Sequence, residues 1–566
     1  MKRSQVSLIL LVIFSLLFLV LSACGSNDSN QTGKIDQGGN SDSGNGKTSD
    51  SEPADPLGKY PEIVTVSEVL GYNPPEDPKT PSGISPDQNA YLKDLKEQLN
   101  IDLKYTWTVP ADQFEQKFSL AIASGELPDV MELDMQKFER FKNLGLLADL
   151  SDVYDQYASP MLKEFVEADG GDSKKLLTSD GKLLGIPKYG VPPVQLLWIR
   201  SDWLKKVKME PPKTIDELEQ LAEAFIKLNS NQSNAAEVYG IAMQKNLFFW
   251  AFDSKGFFNG FHSYPGAWIK GQDGKLVAGD IQPETKSALA KLQDWYKKGL
   301  LDKEFALKDD NKAVEDIVAG KVGIVYGEWW YPNWPLNLNK DKDPDADWIC
   351  LPIPSIDGTP GKSIISRMAP GSAIVVNSKF KHPEAAIKMI NFYIDMNSKK
   401  NMEKNKAENG YVYNWFTPRV YNPLEMETIY TEVNKALENN QSEVNENVPY
   451  YTNIQSPLEA ARKFLDGDKS GWGLYFSRVA ENGGWGLTSK LRGSNQFVYN
   501  EFFGIPTETM GDKGAQLDKL TNETFTKIIM GAKIDDFDKY VESWKALGGD
   551  DITEEVNEWY EKNGIK

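Results

Sequence analysis

The sequence predicts an α/β protein built as two lobes, and three observations carry that expectation. From about Tyr60 onward, short apolar runs of strand character alternate with segments whose apolar residues recur at helical spacing. That body is about 510 residues long, too much chain for one core and enough for two large ones. Hydrophobic residues make up 40% of the 566, which marks a globular chain.

The elements follow in order. Ile63–Val66 reads as a first strand. Asn89–Leu99 carries Tyr91, Leu92, Leu95 and Leu99 on one helical face, and Ile101–Trp107 alternates as a strand does. Phe114–Ile122 is an amphipathic helix, Gly125–Asp129 a turn, Val130–Leu133 a strand and Phe138–Leu147 a helix. After Gly185-Ile-Pro187, the run Val194–Ile199 suits a buried strand. Thr214-Ile-Asp-Glu217 matches a capping box opening a helix to about Leu228. Helical patterns follow at Pro283–Lys298, Ala313–Gly320 and Pro383–Met396. Strands are expected at Val322–Tyr326 and Ala373–Val376, and helices at Gly514–Met530, Ile534–Leu547 and Ile552–Lys562. This order argues for mainly parallel sheets. No internal repeat is visible.

Ahead of the body stands a different kind of chain. Lys2 and Arg3 precede an apolar run from Val6 to Leu21, about 16 residues, which is short of a membrane span. The small residues of Leu21-Ser-Ala-Cys24 end it, as in a secretory signal peptide covering 1–23. Residues 24–58 are Gly, Ser, Asn and Asp with almost no apolar content, a disordered linker. Leu21-Ser-Ala-Cys24 also resembles the lipobox of bacterial lipoproteins. That resemblance implies acylation of Cys24, of palmitate type, and attachment to the outer face of the cell membrane.

Composition narrows the function. Removal of the leader leaves 61 basic against 82 acidic residues. Such acidity disfavours nucleic acid and anionic lipid. With Cys24 acylated, Cys350 has no disulfide partner. There are two histidines. His382 sits in a loop before a helix, and His262 lies in an aromatic loop where it could touch a ligand. Asp341–Asp347 and Asp466–Gly471 space carboxylates as calcium loops do, but their twelfth positions are Pro352 and Ser477. No phosphate-cradling loop and no Gly-x-Ser-x-Gly elbow occurs. No metal and no cofactor is expected.

The body resembles the extracellular solute-binding lipoproteins of Gram-positive ABC sugar importers, family 1, in its large oligosaccharide-binding branch. The resemblance is carried by Ala123–Val130, Gly145–Leu150, Asp180–Pro187, Leu197–Leu204, Pro212–Leu218, Gly320–Trp330, Phe525–Gly531 and Trp544–Gly549, in that order and spacing. It implies a periplasmic-binding-protein-like type II fold: two lobes, hinge strands and a central ligand cleft. Crossings are expected near 187–190, 328–332 and 376–380. Residues 59–188 and 330–378 would then form the first lobe, and 189–329 and 379–566 the second. Some relatives carry a calcium loop ahead of the Gly-Ile-Pro segment. Here Thr178-Ser-Asp-Gly-Lys182 offers too few oxygens for one.

A sugar cleft needs aromatic platforms for C–H faces and polar side chains for hydroxyls, since an unpaired buried hydroxyl costs about 1–3 kcal/mol. Of 15 Trp, those near the expected crossings and cleft loops are Trp250, Trp268, Trp329, Trp330, Trp334, Trp415, Trp472 and Trp485. Glu328, Trp329 and Trp330 fall at a strand end, where ligands bind in α/β sheets. The ligand set expected is Asp134, Tyr189, Trp250, Trp268, Glu328, Trp329, Trp330, Arg367, Trp415 and Trp472. Asp134 has a second reading as a helix N-cap. Trp329 or Trp330 has one as hinge packing, and Arg367 one as a surface ion pair. Trp203, Trp295, Trp544 and Trp559 fall within helical patterns and are expected in the core. The expected protein is a non-enzymatic monomer that captures an oligosaccharide and passes it to ABC permease subunits. A secreted glycosidase-like enzyme, a receptor of the same fold for a peptide or lipid headgroup, and a structural surface protein remain open rivals.

Overall fold

Val64 and Val66 turn inward while Thr65 faces solvent, and that alternation makes β1 (Val64–Gly71). It pairs in parallel with β2 (Ile101–Val109), with a register shift between Glu68 and Val69. β3 (Val130–Asp134) is tied to β1 through Asp129. Its N–H donates to Ser67 O at 3.0 Å, and its carboxylate accepts from Ser67 N at 2.8 Å and Oγ at 2.6 Å. β4 (Thr178–Ser179) and β5 (Lys182–Leu183) form a hairpin. Its two turn residues, Asp180 and Gly181, have φ of 50° and 77°, as such a tight turn demands. β6 (Ile186–Lys188) follows, then β7 (Leu196–Arg200), the hairpin of β8 (Trp268–Lys270) and β9 (Leu276–Ala278), β10 (Ile324–Gly327), β11 (Trp348–Leu351), β12 (Ser363–Ser366), β13 (Ser372–Val376) and β14 (Phe497–Asn500).

A computed structural model describes residues 54–72, 83–110, 113–190, 193–230, 238–366, 370–407, 412, 416 and 418–563. The leader, Cys24, the linker as far as residue 53, Arg367 and Trp415 lie outside the described residues. Among the described residues no helix is long and apolar enough to cross a membrane.

Two sheets organise the body. In the first, β13 lies between β3 and β6, antiparallel to both, with Val376 opposite Val130 and Ala373 opposite Pro187. In the second, β7 lies between β10 and β11, again antiparallel to both. Both sheets are therefore antiparallel rather than mainly parallel, and the parallel pairs are β1 with β2 and β12 with β14. A strand arriving from another part of the fold can enter a sheet from the opposite end, and β13 does so.

Every residue of β7 is buried, because both faces of its sheet are covered. Leu197 and Ile199 join one core with Ile215, Phe225, Trp295 and Phe525. Leu196 and Trp198 join another with Tyr331, Trp348, Trp472 and Phe497. The first sheet has its own core, which gathers residues from Val64 to Ile186 and from Ala373 to Val420, with Tyr450. The helix Glu384–Met396 is buried on nearly every face there, as its largely apolar sequence requires. A fourth cluster, Met426 to Trp485, is helical.

This distribution moves the expected lobe boundaries. Tyr331, Leu336, Trp348 and Ile365 pack with β7, so the chain does not return to the first core near 330. It returns at β13. Residues 384–420 stay with the first core, so the crossing placed at 376–380 does not occur there. The capping box forms as read: Glu217 N–H donates to Thr214 Oγ1 and the Glu217 carboxylate accepts from Thr214 N–H, both at 3.1 Å. Trp203, Trp295 and Trp544 are core, and Trp559 is half-buried beside Phe502 and Phe503.

Candidate functional site

The loop Phe249–Phe252 presents the most unusual aromatic residue of the chain. Trp250 is 53% exposed and has φ +62°, a left-handed conformation that a bulky side chain adopts at a cost of order 1–3 kcal/mol. Phe252 shares it, with φ +60°. Buried Gln244 clamps the loop by donating to the carbonyls of Phe249 and Ala251, at 2.8 and 2.6 Å. Phe252 N–H donates to the Tyr331 hydroxyl at 2.8 Å.

Trp250 stacks on Trp330, with centroids 5.2 Å apart and planes 22° apart. Trp330 stacks in turn on Trp334, at 5.8 Å and 25°. The Trp330 indole N–H donates to Glu328 at 2.9 Å, and burial raises that carboxyl above its ordinary range. Three indoles thus form one ordered stack whose outer member is open to solvent. Trp329 points elsewhere. It packs on Trp485, centroids 4.8 Å apart, with Arg478 5.0 Å from its ring. A Cβ on Gly484 would stand 2.6 Å from Trp329 O, so glycine is what lets the helix Gly484–Gly493 approach this closely.

Beside the first sheet, the ends of β1, β3 and β6 surround a cavity of about 480 Å³. Glu68, Glu132, Asp134, Lys188 and Arg419 line it. Lys188 pairs with Glu132 at 2.6 Å, and Lys188 and Arg419 stand 5.8 and 5.4 Å from the Tyr421 ring. Asp134 caps the helix Met135–Asn143, accepting from Lys137 N–H at 2.7 Å, and also lines the cavity. A second cavity of about 760 Å³ is lined by Gln195, Phe249, Lys255, Asp280 and Asn500, among others.

Burial pushes Glu68 up to about 8, with the Glu132 charge adding to the effect. The unfolded chain loses this proton near 4.5, so between about pH 4.5 and 8 only the folded state holds it. Its contribution to stability therefore falls as pH rises through that window. Glu68→Gln is expected to flatten the decline. Melting temperatures at pH 5 and 8 that drop equally in both proteins would acquit Glu68.

The structure gathers Trp250, Trp330, Glu328 and, on the adjoining cluster, Trp329. Three expected residues are core instead. Tyr189 is 3% exposed and donates to Val166 O at 3.3 Å. Trp268 is 9% exposed, with its backbone N–H on Asn500. Trp472 is 3% exposed beneath Phe476 and Lys340. Trp268 and Trp472 join apolar clusters, and Tyr189 is buried with its hydroxyl near Ser173 and Asp169, placements that sequence position could not reveal. Glu132 and Lys188, which line the first cavity, were missed, since no motif marks them. Among the described residues, no group of three or more His, Cys, Asp or Glu could hold a metal.

A family model described as bacterial extracellular solute-binding protein matches residues 82–400. Lipoprotein LipO of Bacillus subtilis is 24% identical over 500 residues, covering 86% of this chain and 91% of that one. The polygalacturonan/rhamnogalacturonan-binding protein YtcQ of the same organism is 24% identical over 493 residues, covering 84% and 89%. The fructooligosaccharide ABC transporter substrate-binding protein FusA of Streptococcus pneumoniae is 26% identical over 301 residues, covering 50% and 52%. The structure of FusA in complex with kestose superposes with a TM-score of 0.57 at 20% identity, over 88% of this chain and 99% of that one. The fold is the two-lobed type II arrangement.

Proposed function

The chain belongs to the bacterial extracellular solute-binding protein family, and from that premise we propose that it is a lipid-anchored receptor which captures an oligosaccharide and delivers it to an ABC permease. One observation carries the carbohydrate reading: an ordered stack of three indoles ends in a half-exposed ring, held in a strained loop beside a carboxylate. Strain of this kind collects at ligand clamps. An aromatic face and a hydrogen-bonding carboxylate are what a sugar ring and its hydroxyls require. The names of YtcQ and FusA support an oligosaccharide, and that of LipO supports acylation at Cys24. Trp250, Trp330 and Glu328 would form one wall of the cleft, and Asp134, Glu132 and Lys188 the other.

The protein would bind without cutting. Calorimetric titration across an oligosaccharide panel, with small-angle scattering, is expected to give heat and compaction, because such proteins close on ligand by hinge bending. Chromatography after prolonged incubation is expected to return the sugar at its original length. Shorter products would establish the glycosidase instead.

A further inference from the structure

We propose that the captured sugar carries an anionic group, a carboxylate or a sulfate, and that Arg478 selects for it. This rests on the carbohydrate reading above. Arg478 lies in the turn Tyr475–Val479. Its guanidinium carbon stands 5.0 Å from the Trp329 ring and 5.1 Å from the Trp485 ring, so two indoles hold it. Among the described residues it makes one hydrogen bond, from Nη1 to Ser477 Oγ at 3.2 Å.

What is missing is a carboxylate in direct contact. Among the described residues no carboxylate comes within ion-pair distance of Arg478, although the chain has 82 acidic residues to offer. Two other arginines have ion pairs, Arg200 with Asp202 at 2.6 Å and Arg492 with Glu427 at 3.0 Å. Glu425 faces Arg478 only through its field, its own carboxyl engaged by Asn453. Burial lowers Arg478 to about 10, so it is still a cation at neutral pH. A charge partly withdrawn from water and left unpaired is costly unless something completes it.

The remaining donors, Nε and Nη2, form a planar fork that matches an oxyanion at two points. Contact with both indoles restrains that fork before any ligand arrives. The buried Trp485 indole N–H in the same cluster also has no acceptor among the described residues. Ser477 Oγ, which accepts from Arg478, also accepts from Asn333 Nδ2 at 2.9 Å, and Asn333 precedes Trp334, so this cation adjoins the indole stack. An anionic ring substituent would be recognised beside the ring's own platform. A lysine here would supply charge without the fork.

The test uses three length-matched ladders: oligogalacturonides for the carboxylate, carrageenan oligosaccharides for the sulfate, and neutral malto-oligosaccharides and fructo-oligosaccharides. One anionic ladder is expected to bind at least tenfold tighter than the neutral ladder, and which one identifies the anion. Arg478→Gln should bring the anionic ligand down to the neutral level with an unchanged neutral affinity, and Arg478→Lys should fall between. Neutral sugar bound as tightly as anionic sugar by the unaltered protein would overturn the inference without any variant. So would an Arg478→Gln protein that loses all ladders alike, which would make Arg478 a support for the indoles. No heat with any ladder would overturn the carbohydrate reading itself.

Discussion

Replacing Trp330 with alanine is expected to weaken saccharide binding by about tenfold or more, a loss of roughly 1.4 kcal/mol or greater. The ring is the middle of the stack, 5.2 Å from Trp250 and 5.8 Å from Trp334. A single aromatic contact contributes of order 1 kcal/mol beyond area. Truncation here removes more than one contact. Trp250 loses the surface that supports it in its open position, and Glu328 loses its indole donor. Trp330→Phe keeps a ring but not the N–H, and should recover part of the affinity. Calorimetry reads the binding, and thermal melting shows that the half-buried substitution leaves a folded protein. An unchanged affinity would remove the stack from the site.

The largest effect on stability is expected at Arg200, which is 2% exposed. Its guanidinium donates to Asp202 at 2.6 and 2.8 Å and to Asp343 at 3.0 Å, and stands 4.8 Å from the Trp203 ring. These contacts hold the Asp202 carboxyl below its ordinary range despite burial. Arg200→Ala leaves that carboxylate withdrawn from water without its cation, and opens a void at the end of β7. Breaking such a pair from one side costs about 3–5 kcal/mol. Arg200→Met, which fills the volume, should cost less when combined with Asp202→Asn. Urea unfolding measures both. The stabilisation that Asp202 draws from the pair is present above its unfolded pKa and lost as pH falls through the folded value, so the penalty of Arg200→Ala should shrink in acid.

Much of the local structure was legible because its causes are local. The helix Pro283–Lys298 begins at its proline and ends at Gly299 in the left-handed region, and both signals are written in the chain. Thr214 and Glu217 announced their helix in the same way. β7 read as buried because its run is apolar without alternation. Lobe membership was not legible, since pairing Val376 with Val130 depends on contacts across some 250 positions. The site was legible only in part. Trp250, Trp268, Trp330 and Trp472 are the same residue near expected crossings and cleft loops, and tertiary packing alone sorts them into platform and core. Nothing at Arg478 distinguishes it from other arginines until the two indoles and the missing carboxylate are seen together.

β13 has a consequence for how the chain is born. The central strand of the first sheet is encoded after the whole of β7 to β12, so a nascent chain lacking residues 372–376 leaves the facing edges of β3 and β6 without their partner. Such open edges invite wrong pairing. The first sheet is complete only once β13 has been made. A thread that folds late suits passage through a narrow channel, and folding would then begin on the far side.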